Sequence, residues 1–193
     1  MHRRRMLQAA AGSATGLLLP ASARGVDAPS AGTDSALARW AHASTANYTV
    51  AGGTLSRPVD RVVVHVTQQT FTQTLGIFRD PTKKVSVHYV VRSGDGYTAQ
   101  CVPERDIAWH AGNWDQNVRS VGIEHEGWVD RPEYFTAAMY ERSALLTADV
   151  CDRHGIPRDR THIIGHYEVP GTDHTDPGPL WDWDRYLRLV RST

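Results

Sequence analysis

The sequence predicts an α/β fold, a mixed central β-sheet flanked by helices. Two observations carry this: short β-branched runs alternate with helical patterns, and the chain order reads β, α, β, β, β, α, short β, loop, α. The first run, "VDRVVVHVT" (59 to 67), follows Pro58 and has the near-continuous apolar character of a buried central strand. "QQTFTQTLGIFRD" (68 to 80) reads as a helix ended by Pro81. "SVHYVVR" (86 to 92) and "GYTAQCV" (96 to 102) are strands that the turn "SGDG" (93 to 96) joins as a hairpin. "RSVGIEHEG" (119 to 127) is a further strand. In the long helix, Thr136 is the cap, Met139, Leu146 and Val150 share a face, and Gly155 before Ile156-Pro157 ends it. "WDRYLRLVR" (183 to 191) closes the chain as a short helix, which Trp181 and Trp183 anchor.

The 193 residues carry 21 basic and 21 acidic side chains, so no basic excess points to nucleic acid as a partner. No apolar run reaches the roughly 18 residues that cross a bilayer. At the N-terminus, Arg3, Arg4 and Arg5 precede a weakly apolar stretch that ends in Ala21-Ser22-Ala23, a small-x-small cleavage pattern. This predicts an export signal of the two-arginine type over residues 1–23 and a secreted protein with no stable membrane insertion after signal removal. Residues 24–44 then read as a linker and N-terminal extension, and 45–193 as one globular domain, expected to be a monomer. Cys101 and Cys151 match no metal or redox spacing, which leaves a disulfide or two buried thiols.

Several side chains are of types that do chemistry. His65 sits in the first strand on the face of Val63 and Thr67, and reads either as a hydrogen-bonded core residue or as a ligand. Glu124 shares a strand face with Gly122, where a neighbour can approach closely, and with Glu126, which reads as solvated. "GHYEVPGTDHTDPGPLWDW" (165 to 183) crowds His166, Glu168, Asp173, His174 and Asp176 into a stretch too irregular for a helix. Its Pro-Gly pairs allow His166 and Asp176 to fold back to one point. Two histidines and a carboxylate would leave zinc one open position, the catalytic arrangement, but the spacing alone is equally that of a polar loop.

"VVVHVT", "VSVHYVV", "IAWHAGNW", "VGIEHEG" and "GHYEVPGTDHTDPGPLWDW", in this order, together resemble the zinc-dependent N-acetylmuramoyl-L-alanine amidases of the type-2 family, relatives of phage amidase-type lysozymes and peptidoglycan recognition proteins. The resemblance spans roughly residues 45 to 190 and implies one amidase-like domain acting on peptidoglycan or muropeptides. It implies that His65, His166 and Asp176 hold Zn²⁺ and that Glu124 is the general base. Where several members carry an oxyanion-steadying lysine this chain has His174, whose ordinary pKa near 6.5 allows a neutral hydrogen-bond donor. Where another branch carries a helper tyrosine it has Val87. Trp109, His110, Asn113 and Trp114 are expected to form a groove wall for sugar and stem peptide, whereas His88, His125, His154 and His162 are expected to be structural or on the surface. The rival reading is a non-catalytic peptidoglycan-binding module, whose members generally lack a zinc ligand.

Overall fold

The structure, a computed structural model, describes residues 32–51 and 58–193. The export signal expected over 1–23 and the first part of the extension lie outside the described residues. In chain order the elements are β1 (Ala38–Trp40), β2 (Tyr48–Thr49), β3 (Arg61–Val66), α1 (Phe71–Arg79), β4 (Tyr89–Val91), β5 (Thr98–Gln100), β6 (Ile107–Ala108), α2 (Trp114–Val118), β7 (Ser120–His125), α3 (Ala137–His154), β8 (Ile163–Gly165) and α4 (Trp183–Arg191). Six strands make the main sheet in the order β1-β5-β4-β7-β3-β8, and β2 pairs with β6 in a separate antiparallel ribbon. Within the main sheet only the β4–β5 hairpin is antiparallel. Among the described residues, no helix is long and apolar enough to cross a membrane.

β3 lies between two parallel neighbours, so both of its faces must be covered. Val62, Val64 and Val66 pack into the core shared with α3 and α4, while Val63 joins Ala111, Ile164 and Val169 on the opposite face. The helices are held at their ends by their own sequence. Thr70 and Gln73 form a capping box on α1, the Thr136 hydroxyl accepts from Met139 N, and Gly155 ends α3 with a left-handed φ of 67°. In the hairpin turn, Gly96 N donates to Arg92 O and Arg92 N to Tyr97 O, as the Gly-containing turn predicts.

Four short elements were not expected. β2 and β6 have two residues each and α2 has five, too few to show a period. β1 falls inside the span read as extension, yet it pairs parallel with β5. Its approach is fixed by polar anchors: Asp34 Oδ2 accepts from Glu104 N at 2.8 Å, and Ser35 Oγ donates to Asp149 Oδ2 at 2.6 Å. Cys101 and Cys151 are free thiols buried in different apolar clusters, and burial pushes both pKa values up to about 12.

Glu104, beside this anchor, is buried yet ionised. Burial raises its pKa, but bonds from His154, Arg153 and Tyr89 outweigh burial and hold it at about 2. A carboxyl depressed from an ordinary value of about 4.3 contributes its full stability above that pH and loses it as pH falls through the folded value. Glu104→Gln is therefore expected to lower Tm at neutral pH and to flatten the decline in Tm between about pH 4 and pH 2. Parallel Tm–pH curves for variant and parent would contradict this.

Candidate metal centre and active site

The site lies on the sheet face opposite α3 and α4. His65 on β3 and Glu124 on β7 are register partners in a parallel pair, so their side chains rise from the same face side by side. β8 runs along the other edge of β3, and its end delivers His166 beside His65, with ring centroids 4.5 Å apart. The loop after His166 then returns: Tyr167 N donates to the Asp176 carbonyl, while Glu168 accepts from Gly165 N and pairs with Arg160. Asp176 thereby reaches under both rings. Its Oδ2 is 3.3 Å from His65 Nδ1 and its Oδ1 is 3.2 Å from His166 Nδ1. Val66 N donates to Oδ2 as well, at 3.3 Å.

One donor atom from each of His65, His166 and Asp176 lies within 4.8 Å of the others, and all three residues are buried. Burial drives the His65 pKa down against the pull of Asp176, whereas for Asp176 the two imidazoles overcome burial and hold its pKa far below the carboxylate range. Glu124 faces the same cleft with a buried Oε2 that has no partner among the described residues. Burial first, and then the charge of Asp176, push its pKa well above the usual range. Two imidazole nitrogens and one carboxylate oxygen in a dry corner, open to a cleft of about 450 Å³, are a donor set that fits zinc with one position free.

The remaining expected residues divide. His174 lines the cleft, stacks on the His166 ring at 4.0 Å and has Nδ1 3.5 Å from Asp176 Oδ1; its side chain is 57% exposed. Trp109 also lines the cleft and donates from Nε1 to Thr49. His110 borders the cleft but is buried, with Nδ1 3.0 Å from His65 Nε2. Asn113 caps α2 and donates to Pro170 O, and Trp114 is exposed and does not line the cleft. Val87 is fully buried in an apolar cluster. His88, His125, His154 and His162 are each hydrogen-bonded away from the cleft. Glu126, read as solvated, instead accepts from Phe71 N and Ser93 N and so ties α1 to the hairpin.

Sequence reasoning missed Gln68 and Lys84, which line the cleft with φ of 53° and 55°. Non-glycine residues held there cost about 1–3 kcal/mol each and collect at functional sites. Nothing in their residue types signals it. Asn117 was also missed; its Oδ1 accepts from the backbone N–H groups of His110 and Ala111 and fixes that segment.

With this geometry in place, comparison with known proteins decides the family. Residues 55–179 match the family model described as N-acetylmuramoyl-L-alanine amidase. The chain belongs to the N-acetylmuramoyl-L-alanine amidase family. The amidase is 32% identical over 168 residues to N-acetylmuramoyl-L-alanine amidase A of Achromobacter lyticus, covering 78% of this chain and 92% of that one. It is 37% identical over 113 residues to the 1,6-anhydro-N-acetylmuramyl-L-alanine amidase AmpD of Escherichia coli K12, covering 55% and 59%. Among solved structures, an AmpD crystal structure aligns with a TM-score of 0.66 at 27% identity, over 80% of this chain and 94% of that one. The E. coli amidase AmiD, in complex with the substrate anhydro-N-acetylmuramic acid-L-Ala-D-γ-Glu-L-Lys, aligns with a TM-score of 0.59 at 26% identity, over 72% and 60%.

Gly122 is the close-approach point of the site: a Cβ there would lie 2.7 Å from the His110 ring. Gly122→Ala is expected to displace that ring and, as overpacking in a filled core, to cost about 1–3 kcal/mol in urea unfolding. A loss below the measurement error would show that His110 can yield freely.

Proposed function

We propose that this amidase uses zinc held by His65, His166 and Asp176 to hydrolyse the amide between the lactyl group of N-acetylmuramic acid and L-alanine in peptidoglycan. The observation that carries the reading is the convergence of the three donors beside Glu124, whose enclosed Oε2 has no partner among the described residues, in one cleft. An amide is a poor electrophile with a poor leaving group, so both ends of the reaction need help. Zinc, when bound, supplies a water of pKa near about 7 and polarisation of the scissile carbonyl.

The protein's own groups would do the rest. Glu124 takes the proton from the attacking water and returns it to the departing alanine nitrogen, a role worth about 10² to 10⁴ in rate. Its partnerless Oε2 supports this, because a carboxylate spent on hydrogen bonds could not turn to substrate. A dication beside it offsets the burial that otherwise favours its neutral form. His174 would donate a hydrogen bond to the developing oxyanion, a role supported by its stacking on His166 with its side chain half in solvent. Trp109 offers an aromatic face to a sugar or peptide at the cleft wall. The expected two-arginine signal would take a monomeric enzyme to the cell wall, where its polymer lies.

The test is digestion of purified peptidoglycan with and without a chelator, followed by mass spectrometry of the products. Peptides with a new L-alanine N-terminus and glycan with unsubstituted muramic acid are expected, and the chelator should abolish both. Binding to the wall without product would favour the non-catalytic module instead. Glu124→Gln is expected to retain zinc and to lose about 10²-fold or more in turnover; near-parent turnover with zinc bound would remove Glu124 from the base role.

A further inference from the structure

The buried contacts behind the metal centre form a chain whose hydrogen-bond directions can be read from one end. Ser120 Oγ lies 2.5 Å from the Gln116 carbonyl, which can only accept, so the single hydroxyl proton points there. Toward His110 Nε2, at 3.3 Å, the same oxygen can then only accept, which puts a proton on Nε2. A buried imidazole packed against two other imidazoles is neutral, so His110 Nδ1 carries a lone pair. That lone pair faces His65 Nε2 at 3.0 Å, which must therefore be the N–H. Neutral His65 is left with a bare Nδ1, and Nδ1 is the atom aimed at Asp176.

We propose that His110 is a positioning residue that, with Ser120, fixes the tautomer and ring angle of His65 so that a lone pair faces the centre shared with His166 and Asp176. The inference rests on reading that centre as a zinc site. The lone pair of His65 Nδ1 opposes a carboxylate oxygen, an arrangement that only a cation between them makes favourable. Several features hold the relay in place. Gly122 leaves room for the His110 ring, Asn117 accepts from the backbone N–H of His110, and His125 Nδ1 lies 2.8 Å from the carbonyl of His65 itself. Neither nitrogen of His110 is free for substrate, which separates this role from that of a groove wall.

The experiment measures zinc affinity by competition with a chromogenic chelator, and imidazole ¹⁵N–¹H spectra of zinc-loaded protein. Wild-type protein should show His110 protonated at Nε2 and His65 protonated at Nε2. Loss of such a partner typically weakens a metal site by about 10- to 100-fold, the effect expected for His110→Phe. His110→Asn, whose Oδ1 can stand near the lost Nδ1, should regain most of that affinity, which a purely packing role for the ring would not explain. Unchanged affinity in His110→Phe, or a wild-type spectrum with the His110 proton on Nδ1, overturns the proposal while leaving the zinc reading intact. Failure of wild-type protein to bind zinc at all overturns both. Should His110→Phe not fold, the wild-type spectrum alone decides.

Discussion

The carboxylate of Asp176 faces the imidazoles of His65 and His166 and accepts the backbone N–H of Val66, so one side chain ties the 166–178 loop to the central strand. Without that closure the loop would keep the bonds of Glu168, the Asn113 bond to Pro170 O and the packing of Val169 on Val63, and the two histidines would share an edge with nothing between them. A carboxylate taken this far from water must be compensated; the Val66 N–H supplies one bond, and a cation held with His65 and His166 would supply the rest.

The sheet makes such an arrangement possible by keeping its two faces apart. One face of β3 sends Val62, Val64 and Val66 into a dry core with α3 and α4, and the other carries His65 beside Glu124. His125, one residue beyond Glu124, points to the opposite face. There its Nε2 meets the Ser143 hydroxyl and its Nδ1 the carbonyl of His65, so the core also holds the ligand strand from behind. Behind the ligands, His88, His110 and His125 sit close together without mutual repulsion because burial lowers the pKa of each and each of their ring nitrogens faces a donor or acceptor. The strained backbone at Gln68 and Lys84 adds the rim of the cleft at a cost that the surrounding structure carries.

Much of this was legible in the sequence, for reasons that differ by element. The β-branched run around His65 and the capped pattern after Thr136 are strong periodic signals, and they became β3 and α3. β2, β6 and α2 carry no period; β2 and β6 pair across almost sixty residues, and Asn47, just before β2, donates to Phe78 O and Asp80 O. The His65, His166 and Asp176 group followed from the order of motifs, and the described geometry brings those three together. His110 does border the cleft, as expected, but it is buried and its ring nitrogens face His65 and Ser120. Its "WHAGNW" context suggested a groove wall, while the clue to its burial lay twelve residues on, in Gly122, whose missing side chain leaves room for the ring. A pairing of that kind joins two elements in space and leaves no mark in either segment alone.

The most direct measurement is zinc K-edge X-ray absorption of purified protein after removal of loosely held metal. The account predicts about one zinc per chain with a first shell of nitrogen and oxygen only, near 2.0–2.1 Å, including the scattering signature of two imidazoles. Sulfur at about 2.3 Å, a single imidazole, or no retained zinc would contradict it.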